Sequence, residues 1–70
     1  MRRYVISAKV GKRIRSIRRH KGFTQEDVAY KSGMHVSTLG RIERGESNAP
    51  LQTLNKIAQV LKVKPKEILP

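Results

Sequence analysis

The apolar residues of this chain recur with the period of a helix and not with that of a strand. Val10, Ile14 and Ile17 stand at i, i+4 and i+7, one face of a 3.6-residue period. They predict a helix from about Ser7, its expected N-cap, to His20, where Lys21-Gly22 ends it. A second helix should follow Phe23-Thr24. Thr24 can cap its backbone amides and Asp27 can return the bond, while Phe23 and Val28 hold the two positions of a hydrophobic staple. This helix turns Val28 and Ala29 inward and stops at Gly33, a residue type that accepts a left-handed turn. After only Met34 and His35, a third helix spans roughly residues 36–44 with Leu39 and Ile42 inward, closed by Gly45. The loop Glu46-Ser47-Asn48-Ala49 leads to Pro50, suited to a first helical turn. Leu51, Leu54, Ile57, Ala58 and Leu61 then repeat at helical spacing, and Pro65 opens a last turn ending on Ile68 and Leu69. No strand signal, repeat or linker interrupts the pattern. The expectation is an all-α fold, a compact bundle of four to five helices forming one domain over residues 1–70.

Seventy residues bury only about 60% of the surface that the unfolded chain exposes, so the core must be small. With no cysteine, neither a disulfide nor a thiolate zinc site can staple it, which leaves helix packing or self-association. No apolar run exceeds three residues, as in Tyr4-Val5-Ile6. That is far short of the ~20 of a membrane span or the roughly 7–15 of a signal-peptide core, and a soluble, cytoplasmic protein is expected.

Charge changes the picture more. Sixteen Lys and Arg face five acidic residues, a formal net charge of +11, which argues for a polyanionic partner. Nine of the sixteen lie in the first 21 residues, with no acid among them. A solvated basic helix is the plain alternative. A membrane-surface helix would need a broad apolar face with Trp, Phe or Leu, which Val10, Ile14 and Ile17 do not supply. Met1-Arg2-Arg3 can reach a minor groove or a phosphate, although such a terminus is more often disordered, so residues 1–6 are a candidate flexible basic arm. Catalysis finds little support. His20 and His35 are the two histidines and Asp27 the one aspartate, too few donors to converge on a metal. No serine is placed with a His and carboxylate that would activate it. Glu26 and Asp27 suit the start of a helix by charge alone. The chain is expected to be no enzyme and to need no cofactor.

Two short helices joined through glycine suggest a helix-turn-helix. At about 100° per residue, Leu39 and Ile42 of the third helix face inward. Ser37, Arg41 and Arg44 point the opposite way, flanked by Val36 and Gly40. A solvent face would carry Glu and Lys alike; this one combines small groups with arginine, whose planar fork suits guanine edges and phosphates.

Arg18, the stretch from Gly22 to Ala29, Gly33, the run from Ser37 to Gly45, and Leu54 with Ala58 and Leu61 together resemble the Cro and phage-repressor-like (XRE) helix-turn-helix family, over about residues 9–69. The resemblance implies a lambda-repressor-like bundle with the helix over residues 36–44 in the major groove. By the same resemblance Val36, Ser37 and Arg41 would touch bases. Gln25, His35 and Arg44 match phosphate-holding positions, with Thr24, Thr38, Ser47 and Asn48 as further backbone candidates. Gln25 has a physical reason as well, since a helix N-terminus favours an anion. Arg18 and Glu43 match a partly buried, structural ion pair. Three positions depart from the family pattern: Ser32 replaces an apolar residue, His35 replaces Ser or Thr, and Gly40 costs about 1 kcal/mol in helix propensity. Gly40 either lets the helix approach DNA closely or relieves crowding. Val36 either meets a thymine methyl or fills a gap against the second helix.

The function this implies is a sequence-specific transcriptional regulator binding a palindromic double-stranded DNA operator as a homodimer. With no sensory segment, its control would come from its own concentration, site occupancy or a separate partner, as in small phage-type repressors or restriction-modification controllers. An antitoxin-like autorepressor paired with a toxin, a bridging coactivator module touching a protein such as RNA polymerase, and a charge-only nucleic-acid binder are the rival readings. Val63, Ile68 and Leu69, with the exposed edge of the fourth helix, are the expected dimer contact.

Overall fold

The computed structural model describes residues 2–69, with side chains for residues 8–69. Four α-helices and a closing 3-10 turn follow one another: α1 Arg2–His20, α2 Gln25–Lys31, α3 Val36–Glu43, α4 Leu51–Leu61, and the turn Pro65–Glu67. No strand occurs among the described residues. The chain is all-helical, as the apolar period requires.

The beginnings differ in how they are fixed. Helix α1 starts at Arg2 rather than at Ser7. Residues 2–6 contain neither glycine nor proline, and arginine is a strong helix former, so nothing in the sequence stops the helix before the terminus. The expected Ser7 cap and the reach of the Met1-Arg2-Arg3 arm concern side chains outside the described residues. Helix α2 carries the expected capping box: the Asp27 amide donates to Thr24 Oγ1 at 3.0 Å and the Thr24 amide to Asp27 Oδ2 at 3.1 Å. Pro50 stands one residue ahead of α4, as its N-cap.

All four helices end on one closure. The residue at the bend is left-handed at Gly22, Gly33 and Gly45, with φ of 80°, 72° and 74°, and at Lys62, which takes φ 61° without being glycine. The next amide then bonds back across six residues, Phe23 to Arg18 O, Met34 to Ala29 O, Glu46 to Arg41 O and Val63 to Ala58 O, at 2.9–3.0 Å. An apolar residue commonly follows such a bend and packs on the helix. Phe23, Met34 and Val63 do so, partly buried against the core. Glu46 is the exception.

The core consists of Val10, Ile14, Val28, Ala29, Leu39, Ile42, Ile57, Ala58, Leu61 and Ile68. Leu51, which the period places on the inner stripe, is 59% exposed because it opens α4 at the rim of the bundle. Ile68 departs from expectation in the other direction. It is 1% exposed, and Val63 and Leu69 pack against the core beside it. The turn after Pro65 folds the chain back, held by the Lys64 amide on Glu67 Oε2 at 2.9 Å and by Arg13 Nη1 on Leu69 O at 2.6 Å. Of the expected dimer contact, Ile68 is therefore taken up by the monomer's own core, while Val63 and Leu69 stay partly exposed beside it.

Gly11 sets how α1 meets α3. A Cβ there would overlap Ile42 O and lie 2.6 Å from Glu43 O, and one on Gly45 would lie 2.8 Å from Ala8 Cα. The two backbones touch directly, which anchors the C-terminal end of α3.

Candidate nucleic-acid interface

Beneath α3 lies a buried ion pair. Arg18 Nε donates to Glu43 Oε2 at 2.7 Å, Nη2 to Oε1 at 3.1 Å, and Nη1 to Phe23 O at 2.9 Å. Gln25 Nε2 adds a third donor to the carboxylate, at 3.0 Å from Oε1. The side chains of the pair are 8% and 1% exposed, more deeply buried than their positions at the stripe edges suggested. Charges this buried must be paired, and removing one partner typically costs about 3–5 kcal/mol. The network joins α1, the start of α2 and the end of α3, and so fixes the orientation of α3.

Above it, Ser37, Thr38 and Arg41 are exposed while Leu39 and Ile42 are buried, the division the helical wheel requires. Val36 is 41% exposed, which leaves its methyl groups open to a ligand and does not suit a core role. Gly40 is buried, not part of the open flank. The Arg44 guanidinium lies across it, with Nη1 at 3.1 Å from where a Cβ would stand and Gln25 Nε2 at 3.9 Å. Its small size thus leaves room for the Arg44 guanidinium, while Gln25 stands at ordinary contact distance.

The flanking residues are placed as follows. His35 is the exposed N-cap of α3 and makes no side-chain cap bond, and the first amides of any helix lack an intrahelical partner. Thr24 is exposed with its hydroxyl engaged in the α2 cap. The Thr24 amide, with its hydroxyl second, holds the Asp27 carboxyl below the usual carboxylate range. Gln25 is half-buried and turned toward Glu43. Arg44, exposed at the end of α3, grips Glu46 through Nε to Oε2 at 3.0 Å and Nη2 to Oε1 at 3.3 Å. These bonds raise the Arg44 pKa and lower that of Glu46. The Ser47 hydroxyl donates to Asn48 O at 3.3 Å.

Thr38, Ser47 and Asn48 line one groove of about 310 Å³ together with Ser32, Gln52 and Lys56. The Ser32 hydroxyl is buried without a protein partner. Gln52, Lys56 and Glu46 were not singled out from the sequence. The first two could have been found from their i, i+4 spacing off the apolar stripe of α4, and Glu46 from its place where an apolar residue usually follows the bend. With Glu43 held by Arg18 and Glu46 by Arg44, Arg41 makes no salt bridge among the described residues.

The sequence and fold match known proteins over nearly their whole extent. The helix-turn-helix family model HTH_3 matches residues 14–68. The HTH-type transcriptional regulator YazB of Bacillus subtilis (strain 168) is 42% identical over 60 residues, covering 86% of this chain and 87% of the relative. Control protein C.BamHI of Bacillus amyloliquefaciens is 37% identical, covering 84% and 74%. The crystal structure of the restriction-modification controller protein C.AhdI from Aeromonas hydrophila superposes with a TM-score of 0.90 at 38% identity, covering 94% of this chain and 96% of that one. The chain belongs to the helix-turn-helix family of DNA-binding transcriptional regulators of the Cro and phage-repressor (XRE) type, and it is not an enzyme.

Proposed function

We propose that this regulator binds a palindromic operator as a homodimer, with α3 in the major groove and Val36, Ser37 and Arg41 against the bases. One observation carries the reading. The outer face of α3 presents these three side chains exposed, with no carboxylate free to repel DNA, on a helix fixed from below by the Arg18, Glu43 and Gln25 network. Arg41 has the fork that pairs with guanine O6 and N7, and Val36 the apolar surface that suits a thymine methyl. His35, Thr38, Arg44, Ser47 and Asn48 surround that face and take backbone phosphates. Thr24 and Gln25 do so from the start of α2, Gln25 sharing its amide with Glu43. The two relatives whose names state a controlling role favour control of a small operon of the restriction-modification kind. Among the described residues no helix is long and apolar enough to cross a membrane, which fits a regulator working in the cytoplasm.

Random-site selection followed by footprinting tests this. The expected result is a two-fold symmetric motif with half-sites about one helical turn, roughly 34 Å, apart. Arg41→Ala should relax a guanine preference by about 1–3 kcal/mol with an unchanged melting temperature. Arg18→Ala should lower the melting temperature and spare base preference in the folded fraction. Recovery of no motif, or a motif indifferent to Arg41→Ala, overturns the reading.

A further inference from the structure

The outward side of α1 carries a second concentration of charge that the α3 face does not account for. Taking Ile14 as the innermost position, Lys12, Ser16 and Arg19 fall within about 40° of the opposite side of the helix at 100° per residue. With Arg15 and His20 they line a shallow open groove, and all five are exposed. Among the described residues Lys12, Arg15 and Arg19 make no salt bridge. The five carboxylates of the chain all lie beyond residue 25.

This groove and the α3 face look in different directions. The inner side of α1 lies on α3 through Gly11 against the carbonyls of Ile42 and Glu43 and through Arg18 on Glu43. Ser37 and Arg41 project from the far side of α3. At 100° per residue, Lys12, Ser16 and Arg19 stand about 90–150° round α1 from the midpoint of Gly11 and Arg18, so the groove opens to the side of the α1–α3 contact and away from it. The groove cations thus project from a different helix and in a different direction from Arg41, which lies on the side of α3 away from α1.

The chemistry of the groove selects its occupant. A protein partner would need an apolar or aromatic centre and a membrane an apolar face. Over residues 8–20 of α1, where side chains are described, there is no exposed large apolar residue; those described are Tyr30, Val36 and Leu51 on other helices. A phosphate backbone needs only spaced cations and donors. We propose that the outer face of α1 is a sequence-independent contact for the backbone of a second DNA duplex, so that one molecule bridges this duplex and the one read by α3. The inference rests on the proposed α3 reading only for the identity of the first duplex.

The experiment immobilises the site recovered by random-site selection, saturates it with the full chain, and measures capture of a fluorescent mixed-sequence duplex lacking that site. The wild type should capture it. K12Q/R15Q/R19Q should reduce capture at least tenfold and flatten the salt slope of capture by up to about 2.7 units, 0.9 for each phosphate no longer neutralised, while affinity for the immobilised site changes less than threefold. K62Q/K64Q/K66Q removes the same charge elsewhere and should leave capture near wild type. Equal losses from the two triple variants mean that net charge alone acts and overturn the proposal. So does a loss of site affinity matching the loss of capture, which would place α1 on the same duplex, and so does capture of polyglutamate as effective as that of DNA. If selection recovers no site, the α3 reading fails separately. The α1 contact is then judged by comparing the two triple variants on the mixed-sequence duplex alone, where a larger loss from the α1 variant supports it and equal losses overturn it.

Discussion

A guanidinium that already holds both oxygens of a carboxylate meets an arriving phosphate with two of its five donors and much of its charge engaged, and this is the state of Arg44 on Glu46. Both side chains are more than half exposed, so the pair adds little to fold stability and its effect should fall on binding. Glu46→Gln should raise affinity for duplexes of any sequence severalfold, more than Glu26→Gln, which makes the same charge change away from Arg44. In an Arg44→Ala background the excess should vanish, the non-additivity expected of groups in contact. Equal gains from the two glutamine variants would show that only net charge acts. Asp27 gives a pH-dependent counterpart. Its carboxyl is depressed in the folded chain, chiefly by the Thr24 amide, so its contribution is complete above the ordinary carboxylate pKa and is lost as pH falls through the lower folded value. Asp27→Asn should therefore melt below wild type at neutral pH, with the gap closing in acid; a gap that stays constant argues against the cap. Such residues were legible because a cap and a helix wheel are local. Gly40 was legible only as two alternatives, since the side chain that lies over it, Arg44, reaches it by folding back in a way no wheel gives.

At the scale of elements, the sequence announced each helix through apolar period and turn glycines, but not how helices cross. Gly11 looks like a weak point within α1, where alanine should be better by about 1 kcal/mol on propensity alone. The structure reverses the sign, because a Cβ would meet the carbonyls of Ile42 and Glu43, backbone atoms that cannot swing aside. Gly11→Ala should destabilise by about 1–3 kcal/mol, the usual cost of overpacking, measured as a lower urea midpoint at unchanged slope. A stabilised variant would mean that α1 and α3 do not touch at this point. The tail holds a similar lesson. Apolar content identified Ile68 as a residue needing cover, and only the fold-back after Pro65 shows that its own chain supplies it. Ile68→Ala should cost about 2–5 kcal/mol, and truncation after Lys62 should lower melting temperature and DNA affinity together. A truncated chain that keeps its melting temperature and loses only affinity would return this segment to the role of a dimer surface.

For the whole molecule, charge acts on folding and on binding with opposite signs. A net +11 is confined within 31 × 23 × 21 Å. At about 0.01 M salt the Debye length is roughly 30 Å, so nearly every cation repels every other, whereas at about 0.1 M it is roughly 10 Å and only neighbours count. Self-repulsion disfavours the compact state, so the melting temperature of the free protein should rise with salt over that interval. DNA affinity should fall over the same interval, with a log-log slope near −0.9 for each phosphate neutralised. A bound duplex supplies the missing countercharge and stabilises the folded state by linkage. The complex should therefore melt well above the free chain at low salt, and its melting temperature should decline as salt rises. The two curves, one rising and one falling, should meet where binding is lost, a point readable by differential scanning with and without a short duplex. A free protein whose melting temperature is flat across this range would show that the apolar core alone sets its stability. The basic surface would then matter only for DNA.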